Sequence, residues 1–131
     1  MTINPILNSD SYKLSHWAQY PPGTQGMYSY VAARGGTASH VLFFGLQALL
    51  KDYLSQRLTL AHIDEAEAVV TQHGLPFNRA GFERIVRQHD GYWPVRIRAV
   101  PEGELVPTGI PMITIESTDP ELFWVVSFLE T

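Results

Sequence analysis

The chain has 131 residues, of which 45% are hydrophobic and 17% are charged, and its net charge is −4. This composition is typical of one globular domain, here residues 1–131, and the acidic balance excludes the basic footprint of a nucleic-acid-binding protein. No apolar run approaches the ~20 residues of a membrane span, so we expect no membrane association. The absence of cysteine excludes thiolate metal sites and is compatible with the cytoplasm.

The amino-terminal third predicts one short helix and two strands. A helix is expected at about residues 10–18, with Ser9 or Asp10 as its cap. Residues 27–33 are rich in Tyr and Val and favour a strand. A Gly-containing turn follows, and residues 41–44 are typical of a short buried strand.

Three helices are predicted next. Gly45 opens the first, which runs to about residue 57 with leucines and a tyrosine at helical spacing. Thr59 caps the second, whose apolar stripe comprises Leu60, Ile63, Ala66 and Val70. The third begins at Asn78, presents Phe82, Ile85 and Val86, and ends at Asp90-Gly91.

The remaining residues predict strands and a final helix. Residues 95–99 and 112–116 alternate between apolar and polar side chains, the period of a half-buried strand. Thr118 and Glu121 form a capping box ahead of a helix that is apolar on most sides. We expect that helix to leave a patch for other protein to cover. The predicted class is α+β: short, mainly antiparallel strands with three or four helices.

Catalytic and metal sites are not indicated by the sequence. The five histidines lack metal-binding spacing, and no nucleophile–base arrangement is supported. His16 is expected to orient its loop by a hydrogen bond. Five arginines lie close together between residues 79 and 98, and we expect them to pair with acidic residues or face solvent rather than bind a polyanion.

Candidate binding residues lie in the first forty positions. A tyrosine ring such as that of Tyr12 can stack on a flat ring, a carboxylate such as Asp10 can orient an amide, and the Arg34 fork can hold a phosphate. These residue types suit a small aromatic molecule beside an anionic one. By residue type alone, Tyr12 is also a common core or interface residue, Asp10 a helix cap and Arg34 a surface residue.

Several motifs in the chain resemble those of one family. They run in the family's order through Asp10-Ser11-Tyr12-Lys13, Gln19-Tyr20-Pro21, Tyr28-Ser29-Tyr30, Phe43-Phe44-Gly45-Leu46-Gln47, Val100-Pro101-Glu102-Gly103, Thr118-Asp119-Pro120-Glu121 and Glu130-Thr131. Together they are similar to the amino-terminal domain of nicotinamide phosphoribosyltransferase. The family's enzyme is much longer, and its barrel domain would follow Thr131.

The resemblance implies roles for three residues. In that family the tyrosine matching Tyr12 stacks on nicotinamide, the aspartate matching Asp10 lines the same pocket, and the position of Arg34 is near phosphoribosyl diphosphate. It also implies a site at a dimer interface, in a homodimer or with a barrel partner. Magnesium is expected only with phosphoribosyl diphosphate in the full-length enzyme, so we expect no cofactor held by this chain.

The implied reaction joins nicotinamide and phosphoribosyl diphosphate into nicotinamide mononucleotide and diphosphate. Alone, the chain is expected to be inactive. Two alternatives remain: a non-catalytic interaction module that pairs with a barrel chain or with itself, and a relative that uses nicotinate.

Overall fold

The structure, a computed structural model, describes residues 4–130. In this part the strands are β1 (Tyr28–Ala32), β2 (His40–Leu42), β3 (Val95–Ala99), β4 (Leu105–Pro107) and β5 (Pro111–Ser117). The α-helices are α1 (Leu46–Leu49), α2 (Leu60–Gln72), α3 (Arg79–Gln88) and α4 (Val125–Leu129). Two 3₁₀-helices span Ser11–Ala18 and Pro120–Leu122, and a π-helix spans Leu50–Leu54.

The strands form two antiparallel sheets. One has the order β1-β5-β3, and the other pairs β2 with β4. On the central strand β5, Ile115 is buried and lies opposite Ser29 on β1 and Ile97 on β3. Small antiparallel sheets beside short helices confirm the predicted α+β class.

Helix α2 begins and packs largely as predicted. The Thr59 hydroxyl accepts a hydrogen bond from the His62 backbone N–H, and the His62 ring bonds back to the Thr59 N–H, so the cap is reciprocal. Ile63, Ala66 and Val70 are buried. Leu60 is exposed instead.

The core is centred on an aromatic side chain of α3. The Phe82 ring contacts four other rings at centroid distances of 5.0–6.4 Å, those of Phe77, Trp93, Trp124 and Phe128. The Asn78 side chain caps α3 as predicted, accepting from the Gly81 N–H at 3.1 Å. This cluster joins α3 to α4 and fixes the middle of the domain.

The amino-terminal helix differs from its prediction in type and cap. Residues 11–18 form a 3₁₀-helix, and Asp10 occupies the N-cap position without a side-chain cap hydrogen bond. Asp10 rather than Ser9 holds the N-cap position, and the Ser9 hydroxyl donates to the Phe128 carbonyl at 3.1 Å. The Asp10 carboxylate is therefore not used by the helix it precedes.

The helix predicted over residues 45–57 is shorter and changes type. It consists of α1 followed by the π-helix and ends at Leu54. Leu49 and Tyr53 have the spacing of a core stripe but are largely exposed. The strand predicted over residues 41–44 is also less buried than expected, since Phe43 is its buried residue and Phe44 is 78% exposed.

The carboxyl-terminal helix corrects two predictions. Its cap is Asp119 rather than Thr118, because the Asp119 side chain accepts from the Glu121 N–H at 2.9 Å. The expected uncovered patch on this helix is wrong, since Val125, Val126 and Phe128 are buried by the rest of the domain. Within residues 4–130 no helix has both the length and the apolar character needed to cross a membrane.

Candidate functional site

Tyr12 and Asp10 lie together at the start of the amino-terminal 3₁₀-helix. Tyr12 is 55% exposed, and Asp10 is exposed beside it. Within residues 4–130 the Asp10 carboxylate makes no hydrogen bond or ion pair, and its main-chain carbonyl accepts from the Lys13 N–H at 2.9 Å. A flat ring face and a free carboxylate are therefore presented outward from one turn of helix.

His16 connects this turn to the core. Its ring centroid lies 5.2 Å from that of Tyr12, and its Nδ1 is hydrogen-bonded to the hydroxyl of Ser127 on α4 at 3.2 Å. Lys13 and Leu14 are the buried residues of this helix. His16 thus makes an orienting hydrogen bond of the kind that was expected. Through His16, the Tyr12 ring is linked to Ser127 of α4.

Arg34 follows β1 at a glycine turn. Gly35 and Gly36 have φ values of 76° and 101°, which favour glycine and turn the chain sharply. The Arg34 side chain is exposed and lies along an open groove that Tyr30 and Glu130 also line. Of the arginines in residues 4–130, Arg34 is the one without an ion pair or hydrogen bond.

The other six arginines are paired. Their carboxylate partners are Asp90 for Arg57; Asp64, Glu67 and Glu83 for Arg79; Asp119 for Arg84; Glu83 for Arg87; and Glu116 for both Arg96 and Arg98. The cluster between residues 79 and 98 therefore pairs with acidic residues, as predicted. Arg34 differs from it in environment, not in residue type.

A buried carboxyl with a lowered pKa lies among residues other than Tyr12 and Arg34. Hydrogen bonds from Arg84, at 2.8 Å, and from His89 lower the pKa of the buried Asp119 carboxyl from 3.8 to about 2, against the opposing effect of burial. Asp119 also caps the Pro120–Leu122 helix. Since every oxygen of this carboxylate is used internally, the Arg84–Asp119 pair is structural.

The three predicted residues occupy two places. The structure brings Asp10 and Tyr12 together, but within residues 4–130 no hydrogen bond, ion pair or ring contact joins either of them to Arg34. Helix α4 contacts the first place through Ser127, which is hydrogen-bonded to His16. Its C-cap residue Glu130 lines the groove beside Arg34 and accepts a hydrogen bond from Ser29 of β1. This arrangement can hold an aromatic ring and an anion, and it contains no paired acid and base for catalysis.

A cleft that the sequence did not indicate lies on another face. It is about 300 Å³ in volume and is lined by Leu49, Tyr53, Trp93 and Phe128, among others. Leucine and tyrosine at helical spacing are typical of a core helix, so no signal in the sequence separated this face from the core.

Comparison with known proteins identifies the family. Residues 4–97 match the family model described as the nicotinamide phosphoribosyltransferase amino-terminal domain. The chain is 54% identical over 128 residues to nicotinamide phosphoribosyltransferase of Xanthomonas campestris, covering 98% of this chain and 27% of that protein. It is 32% identical over 145 residues to the enzyme of the same name from Acinetobacter baylyi, covering 98% and 29%.

A solved structure agrees in fold. The crystal structure of human nicotinic acid phosphoribosyltransferase superposes with a TM-score of 0.63 at 23% identity, over 94% of this chain and 24% of that one. The chain thus spans less than a third of the length of these proteins. The motifs, the fold and the match over residues 4–97 lead to one conclusion: the chain belongs to the family of nicotinamide phosphoribosyltransferase amino-terminal domains.

Proposed function

We propose that this chain is the substrate-binding front domain of a phosphoribosyltransferase of NAD biosynthesis. The reaction joins nicotinamide and phosphoribosyl diphosphate to give nicotinamide mononucleotide and diphosphate. Tyr12 stacks on the nicotinamide ring, Asp10 accepts a hydrogen bond from its carboxamide, and Arg34 holds a phosphate oxygen. Other protein, in a homodimer or as a barrel partner, completes the pocket.

One observation carries this proposal: the side chains that match the family's site are exposed, and within residues 4–130 those of Asp10 and Arg34 make no hydrogen bond or ion pair. Six arginines are paired within the domain and Arg34 is not. The Tyr12 side chain is 55% exposed. The Asp10 carboxylate makes no cap hydrogen bond to the helix that follows it. The exposed Tyr12 ring and the unpaired Asp10 and Arg34 side chains support a role in binding a ligand or other protein.

The chain's contribution is binding and orientation. A stacked ring held by a carboxylate has its nitrogen fixed relative to the sugar carbon, which lowers the entropic part of the barrier. Within residues 4–130 no three His, Cys, Asp or Glu side chains are close enough to hold a metal ion.

A hybrid enzyme tests the proposal. The matched amino-terminal region of the Xanthomonas campestris relative is replaced by this chain, which is 54% identical over 128 residues, and mononucleotide formation is measured. We expect the hybrid to be active and the chain alone to be inactive. Robust product from the chain alone, or an inactive but folded hybrid, would contradict the proposal.

Three variants of the hybrid test the residue roles. Tyr12→Ala should raise the KM for nicotinamide about tenfold through lost stacking, while Tyr12→Phe retains the ring and most of the affinity. Arg34→Ala should raise the KM for phosphoribosyl diphosphate about ten- to a hundredfold, since it removes a charge-assisted contact. Tyr28→Ala and Arg98→Ala, at exposed positions outside the proposed site, are the matched controls.

Two finer points of the proposal are which pyridine is the substrate and where in the cell the enzyme acts. Competition between nicotinamide and nicotinate in the hybrid decides the substrate, and a preference for nicotinate would replace the amide assignment. A cytoplasmic setting is proposed as well, and the absence of cysteine is compatible with it.

A non-catalytic interaction module is the second candidate. It is favoured by exposed apolar side chains on the β2–β4 sheet, those of Leu42 and Leu105, and by that of Phe44 in the loop that follows β2. Sedimentation of the chain alone decides this point. A stable self-associated form together with an inactive hybrid would favour the module, whereas a monomer with an active hybrid excludes it.

A further inference from the structure

The Tyr12 ring has one specific side-chain contact. It lies 5.2 Å from the His16 ring, centroid to centroid, at an interplanar angle of 55°. Within residues 4–130 the Tyr12 side chain makes no hydrogen bond, ion pair or second ring contact. Because Tyr12 is 55% exposed, more than half of its surface is not restricted by packing. The orientation of the Tyr12 ring therefore depends on the position of the His16 ring.

His16 is held in turn by the core of the domain. Its Nδ1 is hydrogen-bonded to the Ser127 hydroxyl at 3.2 Å. Ser127 is only 9% exposed and lies on α4 between Val126 and Phe128, which are 0% and 3% exposed. A buried hydroxyl without a partner is costly, so this hydrogen bond is kept in the folded state. The imidazole thus connects a rigid part of the fold to an exposed aromatic ring.

The backbone around Tyr12 is held separately from its ring. The Ser15 hydroxyl donates to the Tyr12 carbonyl at 2.8 Å, which constrains the main chain. The segment is a 3₁₀-helix, whose hydrogen-bond geometry is poorer than that of an α-helix, and its N-cap side chain makes no cap hydrogen bond. These main-chain contacts do not set the side-chain rotamer, so the contact with His16 has no substitute among them.

We propose that His16 is a positioning residue for Tyr12. Held by Ser127, the imidazole keeps the Tyr12 ring in one orientation before a flat aromatic ligand stacks on it. This inference rests on the proposed function, in which Tyr12 stacks on nicotinamide. Immobilising a side chain on binding costs free energy, so a ring that is ordered in advance binds its ligand more tightly.

This role has a defined kinetic consequence. An ordered Tyr12 ring stabilises the bound ligand equally in the ground state and the transition state, so its loss raises KM and leaves kcat unchanged. The effect also has an upper limit. A residue that acts only through Tyr12 cannot cost more than removal of Tyr12 itself, for which the expected rise in KM is about tenfold.

NMR of the chain alone tests the link between the two rings. Three-bond couplings between the Hα and Hβ protons report the rotamer populations of Tyr12. We expect one dominant rotamer in the original chain, and couplings averaged over the staggered rotamers in His16→Ala and Ser127→Ala. Urea unfolding verifies that each variant is folded. Thr59→Ala, which removes a cap of α2, is the control for lost stability and should leave the Tyr12 couplings unchanged.

The hybrid enzyme tests the consequence for binding. His16→Ala and Ser127→Ala should each raise the KM for nicotinamide about three- to fivefold, with kcat within about twofold of the original. In a hybrid that already carries Tyr12→Ala, neither change should alter KM more than about 1.5-fold, because the ring on which His16 acts is absent. Thr59→Ala should leave KM and kcat unchanged.

Three results would overturn the proposal. They are unchanged Tyr12 couplings in both variants, an unchanged KM in an active hybrid, and an equal rise in KM with and without the Tyr12 ring. The last result would mean that His16 acts on the fold or on the ligand directly. An inactive but folded hybrid would refute the proposed function instead, and the couplings in the chain alone would still decide whether His16 positions Tyr12.

Discussion

The domain has two faces that differ in how completely their side chains are used. Around α2, α3 and α4, apolar residues are buried, caps are formed and charged groups are paired, as in the Phe82 ring cluster and the Arg84–Asp119 pair. Around the amino-terminal 3₁₀-helix, the end of β1 and the π-helix, the same residue types are exposed or unpaired. We call the first group of elements the closed face and the second group, which lies in several separate places, the open face.

The difference teaches how to separate structural from functional residues in this chain. Tyrosine, arginine and leucine occur on both faces, so residue type does not distinguish them. Internal partners do: a paired arginine such as Arg79 is accounted for by folding, whereas Arg34 is not. Substitutions should therefore affect stability on the closed face and binding on the open face.

The largest expected contrast is between two phenylalanines. Phe82→Ala removes the centre of the ring cluster and leaves a cavity, so it should lower the free energy of unfolding by about 3–5 kcal/mol. Phe44→Ala, at a side chain exposed to solvent, should change it by less than about 0.5 kcal/mol. Urea unfolding measures both, and equal losses would remove the distinction between the faces.

Next in size is the pH dependence that Asp119 confers. Its folded pKa of about 2 lies below 3.8, so the unfolded chain binds the proton more readily and the carboxylate stabilises the fold at higher pH. Asp119→Asn should cost about 2 kcal/mol at neutral pH. That cost should disappear as the pH falls from about 5 through 3.8 towards 2, because the wild-type carboxyl then becomes protonated.

The control for this effect is the same substitution at an exposed ion pair. Asp64→Asn removes one of three partners of Arg79, on a solvated surface, and should cost less than about 1 kcal/mol. Urea unfolding of both variants at neutral pH and near pH 2 gives the comparison. A cost of Asp119→Asn that persists at pH 2 would show that lost packing rather than charge is responsible.

The smallest contrast is between two helix starts. Thr59→Ala removes a side-chain cap of α2 and should lower the free energy of unfolding by about 1 kcal/mol. Asp10→Ala should leave it within about 0.5 kcal/mol, since the Asp10 side chain makes no cap hydrogen bond. Thermal or urea unfolding detects both, and an equal loss from Asp10→Ala would mean that the carboxylate is structural.

Much of the fold was predictable because its signals are local. Strand alternation at residues 95–99, the Thr59 and Asn78 caps and the α+β class depend on neighbours within a few positions, and all were predicted correctly. The helix over residues 45–57 and the cap at Thr118 were predicted less well. Their outcomes depend on distant groups. Arg84 and His89 hydrogen-bond to the Asp119 carboxylate. Of the predicted stripe, Leu54 packs against the core, whereas Leu49 and Tyr53 stay exposed.

The candidate site was predictable only in part. The roles of Asp10, Tyr12 and Arg34 came from motif resemblance and remain predictions, while their freedom from internal partners is visible only in three dimensions. The cleft at Trp93 had no signal in the sequence, because an apolar residue gives the same pattern whether its neighbour is present or absent.

By itself, the order of residues determined the local elements, the class of the fold and the family to which the chain belongs, since periodicity, caps and motifs are properties of neighbouring positions. Only the tertiary structure decided which charges are neutralised, which apolar stripes are covered and which donors lack an acceptor. Those outcomes depend on groups far apart in the chain, such as Ser127 beneath His16 and Phe128 against Trp93, and on burial, which is a property of the packed whole.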